Sequence, residues 1–177
     1  MLSCSEWYAL QVYQRLEKIT ALLLNQKGFD PFLPTYTVKR RWSDRVKVVE
    51  QPLFPGYLFC RLDLRQPWLP VLTTPGVISI VGTGKEPSAI PATEIEAVRR
   101  IVRSATSAEP WPYLRSGDCV TISDGPLRGT EGILAEMKNA CKLVVSIHLL
   151  QRSVAVVVDR EIVLPRNVAR HLSGCCG

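Results

Sequence analysis

The densest chemical signal in the chain is the run Lys39, Arg40, Arg41, Arg45 and Lys47 around Trp42. Cationic side chains neutralise phosphates, and an indole among them can stack on an unpaired base, so this composition suits a single-stranded nucleic acid. A basic loop is also, and more commonly, a solvated surface. The string GTGKE at Gly82 to Glu86 invites a phosphate-loop reading. That loop needs a glycine five positions before Gly84, where Ser79 stands, and a Ser or Thr after Lys85, where Glu86 stands, so it is rejected. Nucleophile-elbow, HExxH and kinase signatures are absent, and His148 and His171 have no evident carboxylate or serine partner in the sequence. The reading is therefore not an enzyme. His171 with Cys175 and Cys176 is the one close set of metal-ligand types, but adjacent cysteines make an awkward pair on one ion. A loose tail is expected there, with no metal site and no cofactor.

The elements that carry these residues must come from a chain of 177 residues that is 46% hydrophobic with a net charge of +6, enough to bury a core in one or two domains. Apolar runs such as Val154 to Val158 fall far short of the roughly 18 to 20 residues of a spanning helix, so no membrane segment is expected. Glu6, Gln11, Gln14, Arg15, Glu17 and Lys18 interrupt the N-terminal apolar positions; no export signal is read, and a cytoplasmic location is expected. The six cysteines are scattered and read as reduced thiols. Residues 1–104 hold 14 basic and 9 acidic residues against 8 and 7 in residues 105–177, so the basic excess belongs to the first part.

Alternation in Trp7 to Val12 predicts a strand. Gln14 to Lys27, with Leu16, Ile19, Leu22 and Leu23 at helical spacing, predicts a helix ended by Gly28. Tyr36 to Val38 and Val46 to Val49 read as strands with Lys39 to Arg45 as the hairpin tip. Tyr57 to Leu62, entered through Phe54-Pro55-Gly56, and Val77 to Val81 read as further strands. Pro67, Pro70 and Pro75 leave room between them for a short helical turn. Thr93, capping with Glu96, opens a helix whose face carries Ile95, Val98, Ile101 and Val102, with Arg99, Arg100 and Arg103 at its C-terminal end. Residues 5–104 thus make an α+β domain with an N-terminal antiparallel sheet and flanking helices.

Residues 105–114, with Pro110 and Pro112 and no periodicity, read as a linker. Cys119 to Ile122, Gly132 to Glu136, Leu143 to Ile147 and Val154 to Val158 are short strands at regular spacing, and residues 115–167 read as a small β-barrel followed by a tail at 168–177. Its valines are stiff in a helix, and Gly125, Pro126, Gly129 and Gly132 interrupt one.

The strings WYALQV at Trp7 to Val12, PLFPGYLFCRLD at Pro52 to Asp63 and TTPGVISIVG at Thr73 to Gly82 resemble the NusG family of transcription elongation factors in order and spacing. GDCVTISDGPLRGTEGIL at Gly117 to Leu134 resembles the KOW motif, shared with ribosomal proteins. The resemblance covers about residues 5 to 167. Within the family, LVVSIHLLQRSVAVVVD at Leu143 to Asp159 is similar to the specialised UpxY and LoaP group, which resembles RfaH in serving selected operons.

This resemblance implies an NGN-like domain that grips the clamp helices of RNA polymerase and suppresses pausing or termination, followed by an SH3-like KOW barrel. The matching polymerase-contact positions are Tyr8, Phe54, Tyr57 and Phe59, which read alternatively as core. In RfaH-like proteins the basic hairpin and the turn before the TPG string lie near the non-template DNA strand, which implicates Arg40, Arg41, Trp42, Arg45, Thr73 and Thr74. Pro75 departs from the pattern by standing where a base-reading arginine can stand. The barrel contains no Phe or Trp, whereas the housekeeping factor uses aromatics there to meet Rho and a small-subunit ribosomal protein, so the ribosome contact implied for the KOW domain lacks its usual residues. A competing reading is an RNA-binding or ribosome-associated KOW protein, against which the near-neutral charge of residues 105–177 weighs.

Overall fold

The computed structural model describes residues 5–42, 45–83, 86–104, 108–113, 117–137 and 140–166. In chain order the first part runs β1 (Glu6–Val12), α1 (Glu17–Gln26), β2 (Asp30–Phe32), β3 (Thr35–Trp42), β4 (Arg45–Pro52), β5 (Tyr57–Leu62), the one-turn α2 (Leu69–Leu72), β6 (Val77–Ile80), β7 (Gly82–Thr83), β8 (Glu86–Pro87), β9 (Ala89–Ile90) and α3 (Ala92–Arg103). Strands β2-β5-β1-β6 form an antiparallel sheet in that order, with β9 also paired to β1. β3 and β4 form a separate hairpin.

The central strand β1 is covered on both faces, and its period of two sorts the core. Trp7 and Ala9 join Phe54, Phe59, Ile95, Val98 and Ile101 on one side. Tyr8, Leu10 and Val12 join Leu24, Leu58, Cys60 and Leu62 on the other.

Two local expectations are corrected. The apolar stripe of α1 faces outward, with Ile19 54% and Leu22 63% exposed, while Glu17, Thr20 and Leu24 are buried. Helical spacing identified the helix but not the side that packs, because Glu17 and Thr20 find polar partners inside. At α3, Pro91 holds the cap position and no side chain caps the turn, so Thr93 lies within the helix. The expected face of Ile95, Val98 and Ile101 is buried.

After α3 come β10 (Ala108–Trp111), β11 (Asp118–Ile122), β12 (Glu131–Met137), β13 (Ala140–Ile147), a 3-10 turn at His148–Leu150, β14 (Arg152–Val158), a second such turn at Arg160–Ile162, and β15 (Val163–Pro165). All four strands expected here from the sequence are present. Part of the stretch expected as linker is β10, paired with β14; Pro110 is tolerated because an edge strand has one side without ladder bonds. The sheet is six-stranded, in the order β10-β14-β13-β12-β11-β15. Among the described residues its ladder does not close into the expected barrel: β10 and β15 are edges, and Pro110 and Pro165 lack the N–H a closing ladder would use. Inside it, register partners Ser146 and Ser153 share a buried hydroxyl hydrogen bond of 2.7 Å.

Candidate functional site

Strand alternation divides the four expected polymerase-contact residues. Phe59 is opposite Ala9, and Tyr8 is opposite Cys60, so Tyr8 and Phe59 occupy different faces of the sheet. Phe54 and Phe59 meet edge-to-face, ring centroids 5.4 Å apart, both essentially fully buried. Tyr57 is half-buried and packs against the same cluster. Tyr8 is 5% exposed and its hydroxyl donates to Glu6 at 3.1 Å. Among the four, the structure brings Phe54, Tyr57 and Phe59 together and leaves Tyr8 behind the sheet.

Residues not singled out in the sequence complete the Phe59 face. Phe32 lies 6.1 Å from Phe59 and 6.5 Å from Trp7, centroid to centroid. The Arg99 guanidinium stacks over both Trp7 (4.6 Å) and Phe32 (5.0 Å). Trp7 was legible by alternation with Ala9; Phe32 and Arg99 arrive from β2 and α3, and no sequence spacing connects them.

The C-terminal sheet is seated on this face. The Arg152 guanidinium lies over the Tyr57 ring at 5.2 Å. The backbone N–H of His148 donates to Glu94 at 3.2 Å, and its Nδ1 is 2.9 Å from the same carboxylate. His148 therefore has a carboxylate partner, one that a sequence separation of 54 residues conceals. Leu149 and Leu150 pack against the shared core, which joins Phe59, Ile95 and Ile101 to Leu143, Val145, Ile147 and Val154. Beside this seam a cleft of about 730 Å³ runs between α3 and the sheet, lined by Thr93, Ala97, Arg100, Gly132, Val144 and Ser146.

The expected nucleic-acid residues lie elsewhere. Thr73 is exposed, its hydroxyl directed to the Leu69 and Pro70 carbonyls at 3.1 and 3.3 Å. Thr74 is 2% exposed; its hydroxyl donates to the Pro70 carbonyl (2.8 Å) and accepts from Lys27 (2.8 Å). The basic run occupies the far end of the β3–β4 hairpin, as expected, with the two strands paired as far as Trp42 opposite Arg45. The side chains of Arg40, Arg41, Trp42 and Arg45 lie outside the described residues, as do Lys85, His171, Cys175 and Cys176.

Among the described residues, two titratable groups are displaced from ordinary values. Burial, and then the negative charge of Asp30, push the Cys60 thiol up to about 12. Hydrogen bonds from the Arg65 side chain and backbone hold the half-buried Asp63 carboxyl below its usual range. Among the described residues no three His, Cys, Asp or Glu side chains gather to hold a metal, and no helix is long and apolar enough to cross a membrane.

The family model described as "Transcription termination factor nusG" matches residues 5–99. The transcription termination/antitermination protein NusG of Thermus thermophilus is 29% identical over 174 residues, covering 87% of this chain and 95% of that protein. Its counterpart in Campylobacter jejuni is 26% identical over 159 residues, covering 82% and 90%. A solved structure titled "Domain interaction in Thermotoga maritima NusG" has the same fold at a TM-score of 0.56, covering 91% of this chain and 97% of that one at 21% identity. The matched segment contains the sheet that carries Phe54, Tyr57 and Phe59 and extends over more than half of the chain, so this protein belongs to the NusG family of transcription termination factors.

Proposed function

We propose that this protein is a transcription elongation and antitermination factor that binds the clamp helices of RNA polymerase through the Phe54–Tyr57–Phe59 face and suppresses pausing or termination on selected operons. Residues 5–104 are the polymerase-binding unit, 105–114 the connection, 115–167 a KOW-type unit and 168–177 a tail. The observation that carries the reading is Tyr57: it stands in the FPGYLF string, at the rim of an aromatic face, and keeps part of its ring uncovered by its own core. A tyrosine left partly uncovered beside a packed apolar base suits an interface anchor, since Tyr is enriched among the residues that dominate binding energy.

No bond is made or broken. The factor acts by binding the elongating state of polymerase more tightly than the paused one, and a few kcal/mol of difference changes the populations strongly. The β3–β4 hairpin, with Arg40, Arg41, Trp42 and Arg45, and the exposed Thr73 meet the non-template DNA strand. Thr74 acts from beneath, through its bond to Lys27. The likeness of Leu143 to Asp159 to the UpxY and LoaP group supports service to particular operons. In this conformation the C-terminal sheet sits on the Tyr57 face, so polymerase and that sheet compete for it.

The test is a pulldown from cell extract followed by a binding titration. Enrichment of polymerase subunits, with affinity reduced by about 2 kcal/mol or more in a folded Tyr57→Ala variant, supports the reading. Enrichment of ribosomal RNA without polymerase favours a ribosome-associated KOW protein instead. Tight polymerase binding by the folded Tyr57→Ala variant refutes the assigned face.

A further inference from the structure

The turns that open β5 and β6 are built alike. Phe54-Pro55-Gly56-Tyr57 is closed by the Tyr57 N–H on the Phe54 carbonyl, and Thr74-Pro75-Gly76-Val77 by the Val77 N–H on the Thr74 carbonyl, each 3.0 Å. Gly56 and Gly76 have φ of +80° and +95°, which with Pro before them is the pattern of type II turns. The two strands flank β1, and the carbonyls of Gly56 and Gly76 accept the consecutive N–H groups of Val12 and Tyr13 at 2.9 Å.

A type II turn leaves its central peptide outside the closing bond, and reversing that peptide gives the type I form. Helix α1 engages this peptide in both turns. The Glu17 carboxylate accepts the Gly56 N–H at 3.0 Å. One helical turn on, the Thr20 hydroxyl donates to the Pro75 carbonyl at 3.1 Å. Both side chains are buried, at 5% and 0% exposure. A carboxylate withdrawn from water is unfavourable without compensation, and here the Gly56 N–H and the helix N-terminal turn supply it. The fit at the second turn is close: a Cβ added at Gly76 would lie 2.0 Å from Thr20 Oγ1. Lys27, on the same helix's C-terminal flank, extends the contact by donating to Pro70 O (2.9 Å) and Thr74 Oγ1 (2.8 Å).

We propose that Glu17 and Thr20 are positioning residues that lock both Pro-Gly turns in the type II form, so that Tyr57 and the Thr73–Thr74 segment are presented together from one helix. The functional part of this inference rests on the polymerase-binding reading above. The inward polar face of α1 is then a brace for two loops, which explains why the helix carries Ile19 and Leu22 outward.

The experiment uses the full chain and two readouts. In the nuclear magnetic resonance spectrum, the Gly56 amide proton, which donates to the Glu17 carboxylate, is expected to move upfield in Glu17→Ala and to stay near its parental position in Glu17→Gln, which keeps an acceptor oxygen. In polymerase binding, Glu17→Ala and Thr20→Val are each expected to lose about tenfold in affinity, while Glu17→Gln and Thr20→Ser, which keep an acceptor oxygen or a donor hydroxyl, stay within about twofold of the parent. Melting curves identify any variant that is unfolded; for such a variant the conservative substitution and the amide signal decide. A Gly56 amide that ignores Glu17, or folded alanine and valine variants with parental affinity, overturns the proposal. If the parent itself fails to bind polymerase, the functional reading falls, and the Gly56 amide shift in the Glu17 variants still decides whether Glu17 holds the turn.

Discussion

The guanidinium of Arg152, the first residue of β14, lies 5.2 Å from the centroid of the Tyr57 ring, the first residue of β5. A cation on an aromatic face is an attraction of about 0.5–1 kcal/mol at exposed sites. The proposed anchor for polymerase is thus already occupied within the chain. Removing the guanidinium, in Arg152→Ala, is expected to raise polymerase affinity by about two- to fivefold, since the competing sheet is held less firmly. Titration of labelled variant and parent against polymerase checks this, and equal affinities would mean that Arg152 does not compete.

The basic hairpin is expected to read out through salt. With Arg40, Arg41 and Arg45 replaced by alanine, the log-log slope of binding to a complete elongation complex should flatten by roughly 0.7 for each single-strand phosphate that is no longer neutralised. Trp42→Ala should instead lower affinity at every salt concentration with the slope nearly intact, by about 1 to 3 kcal/mol if the indole stacks on a base. A triple variant with the parental slope would make the hairpin a solvated surface.

The outward leucine face of α1 gives a stability test. Ile19→Glu and Leu22→Glu are expected to change the unfolding free energy by no more than about 0.5 kcal/mol, as at other exposed positions. Leu24→Ala, at 0% exposure, is expected to lose about 2–5 kcal/mol. Urea unfolding of the three variants distinguishes this arrangement from a helix whose apolar stripe packs inward, which would reverse the order.

Cys60 gives a test in the alkaline range. Its thiol ordinarily ionises near 9.0, but in the fold it is held protonated up to about 12, chiefly by burial. Between these values the folded chain binds the proton that the unfolded chain has released, so the contribution to stability falls as pH rises through that window. A Cys60→Val variant is expected to lose less stability than the parent over the same interval in pH-dependent melting. Alkylation mapped by peptide mass at pH 8 should also modify the exposed Cys119 well before Cys60.

The sequence alone determined the main strands and helices and the family, though not β10, which lies in the stretch expected as linker. Alternation located β1 and β5, Phe54-Pro55-Gly56 marked the entry to β5, the β-branched valines after Lys142 excluded a helix there, and three ordered strings pointed to NusG. These features are local: each depends on backbone preferences or on residue spacing within one segment. Alternation even contained the separation of Tyr8 from Phe59, once the register between β1 and β5 is known. Tertiary structure decided what each face meets. It turned Glu17 and Thr20 inward because two turn peptides, 39 and 55 residues further along the chain, offered hydrogen bonds to them. It brought Arg99 onto Trp7 and Phe32, His148 onto Glu94, and Arg152 onto Tyr57. Among the described residues it also left β10 and β15 as separate edges of the sheet where a small β-barrel was expected. Such pairings join residues remote in the chain, and the free energy that selects them comes from burial and hydrogen bonds made only after the elements have packed, which no local periodicity records.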